Sequence, residues 1–266
     1  MTALTRNRTL RLLARFKRQA NGFAKSRGYR LRVPVTPLHR EFDADSVSAI
    51  QAVAQYTMTP PQRIVALRDA VSYLVRAGIT GAFVECGVWR GGSVMAAANE
   101  LIRLGCPDRD LWLYDTFAGM TAPIELDQTV DGRDGRAWYA AEQAKPEPGS
   151  SGVIGVSLAV VRRNVASTGY PSERFHFVEG PAEETLRERR PDQIALLRLD
   201  TDFYESTKAE LEHLYPRLQP GGILLLDDYG YWQGAKRAVD DYFAGQSLFF
   251  HRIDEAARLL VKPCQH

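Results

Sequence analysis

Cysteine is scarce in this chain of 266 residues, and the three present, Cys86, Cys106 and Cys264, form no C-x-x-C pair. A disulfide framework and a structural zinc site are therefore not expected, and reduced thiols in a cytoplasmic protein are. Histidine is nearly as rare, with five residues and no H-x-x-x-H spacing, which argues against a zinc enzyme. No run of 18 apolar residues occurs, so no membrane span is expected. Arg and Lys interrupt every early apolar stretch, so no secretory leader is expected either. What remains is ordinary for a soluble α/β domain of this size: 45% hydrophobic and 25% charged residues, enough to build a core without staples.

Acidic residues are missing from one region only. Residues 1–32 hold ten Arg or Lys and no Asp or Glu. Because the whole chain carries a formal charge of +2, the rest carries −8. A basic arm can meet nucleic acid or an anionic membrane. An acidic body offers it a nearer partner, so packing on the body or on a second subunit is the preferred reading, with no nucleic-acid partner and a homo-oligomer, a dimer or larger, expected. Residues 1–45 are read as a basic N-terminal helical extension, with a helix over 8–20 carrying Leu10, Leu13 and Phe16 on one side, and residues 46–266 as the main domain.

Within that domain, Asp43 to Tyr56 reads as a helix. Pro61 suits the first turn of another that runs to Arg76, with Ile64, Leu67, Val71 and Leu74 on one face. Short apolar segments then alternate with helical ones. Strands are expected at Ala82–Cys86, Leu111–Tyr114, Arg174–Val178, Ile194–Leu199 and Ile223–Leu226. Helices are expected from Gly91-Gly92-Ser93 to Leu104, from Glu205 to Leu218 and from Gln233 to Phe243. A hairpin of Phe249–Ile253 and Arg258–Val261 closes the pattern. Such alternation predicts an α/β fold with a mainly parallel sheet and helices on both faces. Ligands in such sheets bind outside the carboxyl ends of the strands. Glu85, Asp115, Glu179, Asp200, Asp227 and Asp228 all fall at those ends. Six acids on one edge point to a site.

Two constellations carry chemistry. Glu85-Cys86-Gly87-Val88-Trp89-Arg90-Gly91-Gly92-Ser93 has the form strand, glycine turn, helix start, a nucleotide-site arrangement. Its glycines fit neither G-x-G-x-x-G nor the P-loop. An acid before the first glycine, with Asp115 closing the next strand, suits a cationic methionine moiety and a ribose. A tight turn that only glycine fits is the structural alternative. In the second constellation, Asp200 and the Asp227-Asp228 pair follow adjacent strands. Three close carboxylates call for a cation between them, and hard oxygen ligands favour magnesium. The alternative has Asp228 capping the next helix and Asp202 capping the helix from Glu205. For Asp202 the cap is preferred, with a supporting role at the site as the other option.

Phe83 through Ser93 resembles the cofactor loop of the macrocin O-methyltransferase family, which includes the mycinamicin and novobiocin sugar O-methyltransferases. Tyr114-Asp115-Thr116-Phe117-Ala118-Gly119-Met120 resembles its next motif. Leu197-Arg198-Leu199-Asp200-Thr201-Asp202-Phe203-Tyr204-Glu205-Ser206-Thr207 resembles its most distinctive one. Leu214-Tyr215-Pro216 through Gly221-Gly222 to Asp227-Asp228-Tyr229-Gly230 also matches, so the resemblance covers roughly residues 50 to 245. It implies a class I, Rossmann-like methyltransferase fold, S-adenosylmethionine, a magnesium ion and methyl transfer to a sugar hydroxyl of a small-molecule natural product. It also implies Asp200 as metal ligand and general base, with Asp227 and Asp228 completing the ligands and the region of Thr57 and Met58 covering the cofactor. The cofactor candidates are then Thr57, Met58, Glu85, Gly87, Gly91, Ser93, Asp115, Glu179 and Gly180.

Residues 120–155 differ from their surroundings, being rich in Asp, Gly, Glu and Pro. Such an insertion is a surface loop whose aromatics pack on the body, or a lid presenting Trp138 and Tyr139 to the acceptor. Among other functions, a catechol-type methyltransferase acting on a phenol or a polyketide hydroxyl is the alternative; such enzymes often use a lysine near the metal as base, and the residues after Asp200 are Thr201, Asp202 and Phe203, which favours a carboxylate base here. A nicotinamide dehydrogenase lacks its fingerprint, and a non-catalytic cofactor binder has no use for three metal-binding acids.

Overall fold

The structure, a computed structural model, describes residues 38–145 and 152–264. The helix expected over 8–20 and the basic arm lie outside the described residues. Five parallel strands form the centre: β1 (Ala82–Cys86), β2 (Leu111–Asp115), β3 (Phe175–Glu179), β4 (Ile194–Leu199) and β5 (Leu218–Leu226). β6 (His251–Arg252) and β7 (Arg258–Val261) form a short hairpin, with β7 antiparallel to β5. The spatial order is β3-β2-β1-β4-β5-β7-β6. Chain direction across the sheet reverses between β1 and β4, where the crevice for a ligand opens in such folds.

The strands are apolar throughout because both faces are covered. Alternation then sorts their side chains. Phe83, Leu111, Leu113, Ala195, Ile223 and Leu225 face one core with α1 (Ala44–Val53), α2 (Pro61–Arg76), α3 (Gly92–Arg103) and α5 (Leu158–Ala166). Val84, Cys86, Tyr114, Leu197, Leu199 and Leu224 face the other core with α6 (Tyr204–Leu214) and α7 (Gln233–Tyr242). Burying each such Leu contributes roughly 1.5–3 kcal/mol, which anchors the strand ends that carry the acids. Pro61 begins α2, and Asp43 caps α1 by accepting from Ser46 N at 2.7 Å.

The boundaries between α6 and β5 differ most from the sequence reading. The helix from Tyr204 stops at Leu214, and a single tight turn over Tyr215–Arg217 leads into β5 at Leu218. Pro216 ends the helix because it lacks an N–H and crowds the preceding turn. Gly221-Gly222, expected to follow the helix, instead lies inside β5. A Cβ on Gly222 would sit 2.9 Å from the Ala195 carbonyl, so glycine lets β5 run close to β4.

The 120–155 insertion is docked along its first half. Gln128 and Thr129 form bridges to Asp134 and Trp232, and Val130 N donates to Tyr231 O at 2.8 Å. A short helix, α4 (Gly135–Gln143), follows.

Candidate active site

Each strand of the switch region delivers one part of the site. At the end of β1, Gly87 sits at φ +83, and a Cβ there would lie 2.0 Å from the carbonyl oxygen of Asp200. Only glycine allows the β1 loop and the β4 loop to interlock this closely. Trp89, at φ 48, also occupies the left-handed region that side chains disfavour. The loop is fixed by Asp115 at the end of β2, whose Oδ2 accepts from Val88 N at 2.7 Å and Trp89 N at 3.1 Å. Its Oδ1 accepts from Phe117 N at 2.8 Å, and its carbonyl accepts from Gly180 N at 3.0 Å. Gly91, at φ +88, is the N-cap of α3, and no side chain caps that helix. Its Gly92 N–H donates to Tyr56 O at 3.0 Å. The Tyr56–Pro60 segment therefore lies on the helix start, with Thr57 against Gly92 and Met58 exposed. Ser93 is buried beside Glu85 and hydrogen-bonds to it, while the Glu179 side chain is exposed at the end of β3. The structure thus brings Thr57, Gly87, Gly91, Ser93 and Asp115 around one glycine turn, while the Glu85 side chain turns beneath it.

Glu85 meets a residue the sequence reading gave no role. Register pairs Glu85 of β1 with Arg198 of β4, on the same face of the sheet. Arg198 is 3% exposed, and its guanidinium binds four groups. Nη1 donates to Glu85 Oε1 at 2.5 Å and Asp200 Oδ2 at 2.8 Å. Nη2 donates to Asp227 Oδ1 at 2.7 Å and Thr59 Oγ1 at 3.1 Å. A second arginine, Arg63 of α2, pairs through Nη1 with the other oxygen of Asp227. It also binds Asp254, the turn of the β6–β7 hairpin, through Nε at 2.6 Å. A lone charge inside the apolar run Ile194–Leu199 was a readable signal for Arg198. Arg63 and Asp254 lie 191 residues apart in sequence, and no local pattern joins them.

Asp200, Asp227 and Asp228 do converge. One carboxylate oxygen from each lies within 4.8 Å of the other two. Oxygens on one magnesium ion at 2.0–2.1 Å stand about 4 Å apart at most, so a small closure of the set would let it hold an oxygen-ligated cation. A buried oxygen of Asp228, Oδ2, has no hydrogen-bond partner, which is costly unless something positive fills the space. Burial and the neighbouring acids Asp202, Asp200 and Asp227 push the Asp228 carboxyl well up. Burial likewise pushes Asp200 up, against the pull of Arg198. Asp227 behaves oppositely: burial acts to raise it, but Arg198 and Arg63 together bring it below the usual carboxylate value. Glu85 is pushed up to about 7, with burial outweighing Arg198.

Both helix-cap alternatives fail. The cap position of α6 is Phe203, and the amide of Tyr204 is bound by Asp127 Oδ1 at 2.8 Å. Asp127 belongs to the insertion, is 1% exposed, and also accepts from Ile124 N at 2.7 Å. Asp202, at φ 70, instead accepts from the Trp232 indole N–H at 2.5 Å. Asp202 was misread because an acid two residues before a helix usually caps it, and the competitor lay 77 residues away. Asp228 does not cap α7 with its side chain; only its backbone carbonyl accepts, from Tyr231 N and Trp232 N. The insertion's aromatics are docked as well. Trp138 packs edge-on against Trp232 with centroids 5.5 Å apart, and the Tyr139 hydroxyl donates to Met120 O at 3.0 Å.

Comparison with known proteins agrees with this geometry. The macrocin O-methyltransferase family model matches residues 29–258. The demethyldecarbamoylnovobiocin O-methyltransferase of Streptomyces niveus is 33% identical over 71% of this chain and 68% of its own length. The 8-demethyl-8-(2,3-dimethoxy-alpha-L-rhamnosyl)-tetracenomycin-C 4'-O-methyltransferase of Streptomyces olivaceus is 35% identical over 70% of this chain and 67% of its own. Among solved structures, the O-methyltransferase NovP superposes with a TM-score of 0.68 at 30% identity, covering 79% of this chain and 83% of that one. No helix among the described residues is long and apolar enough to cross a membrane. A class I fold, a glycine turn at its switch point and this kinship together make the chain an S-adenosylmethionine-dependent O-methyltransferase and a member of the macrocin O-methyltransferase family.

Proposed function

We propose that the enzyme methylates a sugar hydroxyl on a glycosylated small molecule and uses a magnesium ion held by Asp200, Asp227 and Asp228. The observation that carries the metal reading is the convergence of three carboxylates around a buried, unpartnered oxygen of Asp228. The sugar acceptor follows the relatives, one of which is a methyltransferase of a rhamnosyl-tetracenomycin.

When bound, S-adenosylmethionine supplies an electrophilic methyl and the divalent ion lowers the pKa of the acceptor hydroxyl. The protein's part is orientation and proton acceptance. Asp115 and the Gly87–Gly91 turn seat the nucleoside, with Thr57 and Met58 above it and Gly180 beside Asp115. Asp200 takes the hydroxyl proton. The cations bonded to these acids are arginines, which do not deprotonate, and this favours a carboxylate as the base. The 120–155 insertion covers the acceptor, anchored through Asp127 and Trp138.

Purified enzyme offered glycosylated acceptors and catechols, with chelator and then with magnesium restored, tests this reading. Turnover of sugars only, lost in chelator and regained with magnesium, is the expected result. Preference for catechols, or full turnover in chelator, overturns the corresponding half.

A further inference from the structure

The Arg198 guanidinium spans both halves of the site. Its Nη2 reaches Thr59 in the cofactor-side segment and Asp227 in the metal-side pair, while Nη1 reaches Glu85 and Asp200. Thr59 is itself buried, and its amide donates to Thr57 Oγ1 at 2.9 Å. The same segment lies on the start of α3, where a Cβ on Gly92 would approach Thr57 Cβ to 2.6 Å. Anything bound over the glycine turn therefore presses on the segment that carries Thr59. A guanidinium is planar and rigid, so a shift at one N–H moves all of them.

We propose that Arg198 is a positioning residue that couples cofactor binding to metal binding through the Thr59 hydroxyl. The inference rests on the metal reading above. Occupancy of the cofactor side holds Thr59 against Nη2. That fixes the plane of the guanidinium, and the plane sets where Asp200 Oδ2 and Asp227 Oδ1 stand. The cation then meets ligands already in place. Linkage requires the reverse as well: the metal tightens the cofactor by the same factor. Nothing in the chemical step itself demands this coupling, since either ligand could bind to an independent subsite.

Removing Arg198 would leave Glu85 and Asp200 without their buried counter-charge and Asp227 with Arg63 alone, so such a variant risks not folding. Thr59→Val is the sharper probe, because it keeps the branched shape and deletes only the hydroxyl. Thr59→Ser keeps the hydroxyl. Mn2+ affinity is measured by electron paramagnetic resonance titration, with and without saturating S-adenosylhomocysteine. In the unmodified protein the nucleoside is expected to tighten Mn2+ by about fivefold or more, the lower end of usual coupling. In Thr59→Val that ratio should fall below about twofold, and Thr59→Ser should restore it. A purely structural role for Thr59 would lower the melting temperature and leave the ratio alone. Mn2+ binding with a ratio near one in the unmodified protein, or an unchanged ratio in Thr59→Val, overturns the coupling and spares the metal reading. No Mn2+ binding by the unmodified protein overturns the metal reading and the coupling together.

Discussion

Glu85 and Arg198 stand side by side in the register of β1 and β4, and the Arg198 guanidinium donates to Glu85 Oε1 at 2.5 Å. The pair sits at the switch point of the sheet, beneath the glycine turn. The same guanidinium also reaches Asp200 and Asp227, so one buried arginine ties the end of β1 to the ends of β4 and β5.

The pair gives stability a pH signature. Glu85 has its pKa raised from 4.5 to about 7. An acid with a raised folded pKa favours folding most below its unfolded value, and that contribution is lost as pH rises toward the folded value. Glu85→Gln removes this dependence. The melting temperature of the variant relative to the unmodified protein should therefore climb between about pH 5 and pH 7. A relative value that falls over that window would contradict the burial argument.

Asp228→Asn separates repulsion from ligation. With its unpartnered oxygen among other acids, the Asp228 carboxylate destabilises the metal-free protein. The variant should melt no lower, and preferably higher, than the unmodified protein in chelator. On the proposed ligand set, magnesium should raise the melting temperature of the unmodified protein, a stabilisation of about 2.7 kcal/mol at a hundredfold excess over Kd, and the variant should lose that rise. Retention of the full magnesium shift in calorimetric scans would remove Asp228 from the ligand set.

Asp127→Ala tests how the insertion is held. The change removes the acceptor for Tyr204 N and Ile124 N together. Stability should fall by about 1–2 kcal/mol, the range for losing a helix cap. Limited proteolysis should also open the 120–145 region. Protection there in the unmodified protein should rise further with cofactor and acceptor if the insertion is a cover. Cleavage indifferent to both the substitution and the ligands would leave the insertion a passive surface loop.

Asp200→Asn keeps one coordinating oxygen and removes the basicity. Turnover with a sugar acceptor should fall by roughly 10²–10⁴-fold and stay low at saturating magnesium. Asp202→Asn is the comparison, because asparagine retains an oxygen for the Trp232 indole. Its turnover should change little. Recovery of Asp200→Asn by excess magnesium would reduce Asp200 to a ligand alone.

Much of this site was legible in the sequence because parallel strands advertise themselves as short apolar runs and their carboxyl ends share one edge. Asp200, Asp227 and Asp228 could be brought together on that ground alone. Of the supporting cations, Arg198 left a trace as a lone charge in an apolar run, but Arg63 left none. Arg63 lies on a helix whose spacing reveals only its apolar face, and its partners are 164 and 191 residues away. Asp127 looked like one acid among many in a polar insertion, and only burial distinguishes it. The misplaced end of α6 has a similar origin: Gly221-Gly222 reads as a terminator, whereas Pro216 had already ended the helix.

The packing around Asp127 carries a lesson for redesign. A Cβ on Gly234 would fall 1.9 Å from Asp127 Oδ1, and one on Gly135 would fall 2.1 Å from its carbonyl oxygen. One aspartate and two glycines, drawn from the insertion and from α7, therefore form a stitch that admits no bulk. A chimera that borrows residues 120–145 from a relative to change its acceptor must carry the acid and its glycine across as a unit, and must find glycine waiting at 234. Grafts that respect this seam can exchange everything beyond it, while those that cut through it would break the Asp127 contact that ties the insertion to the start of α6.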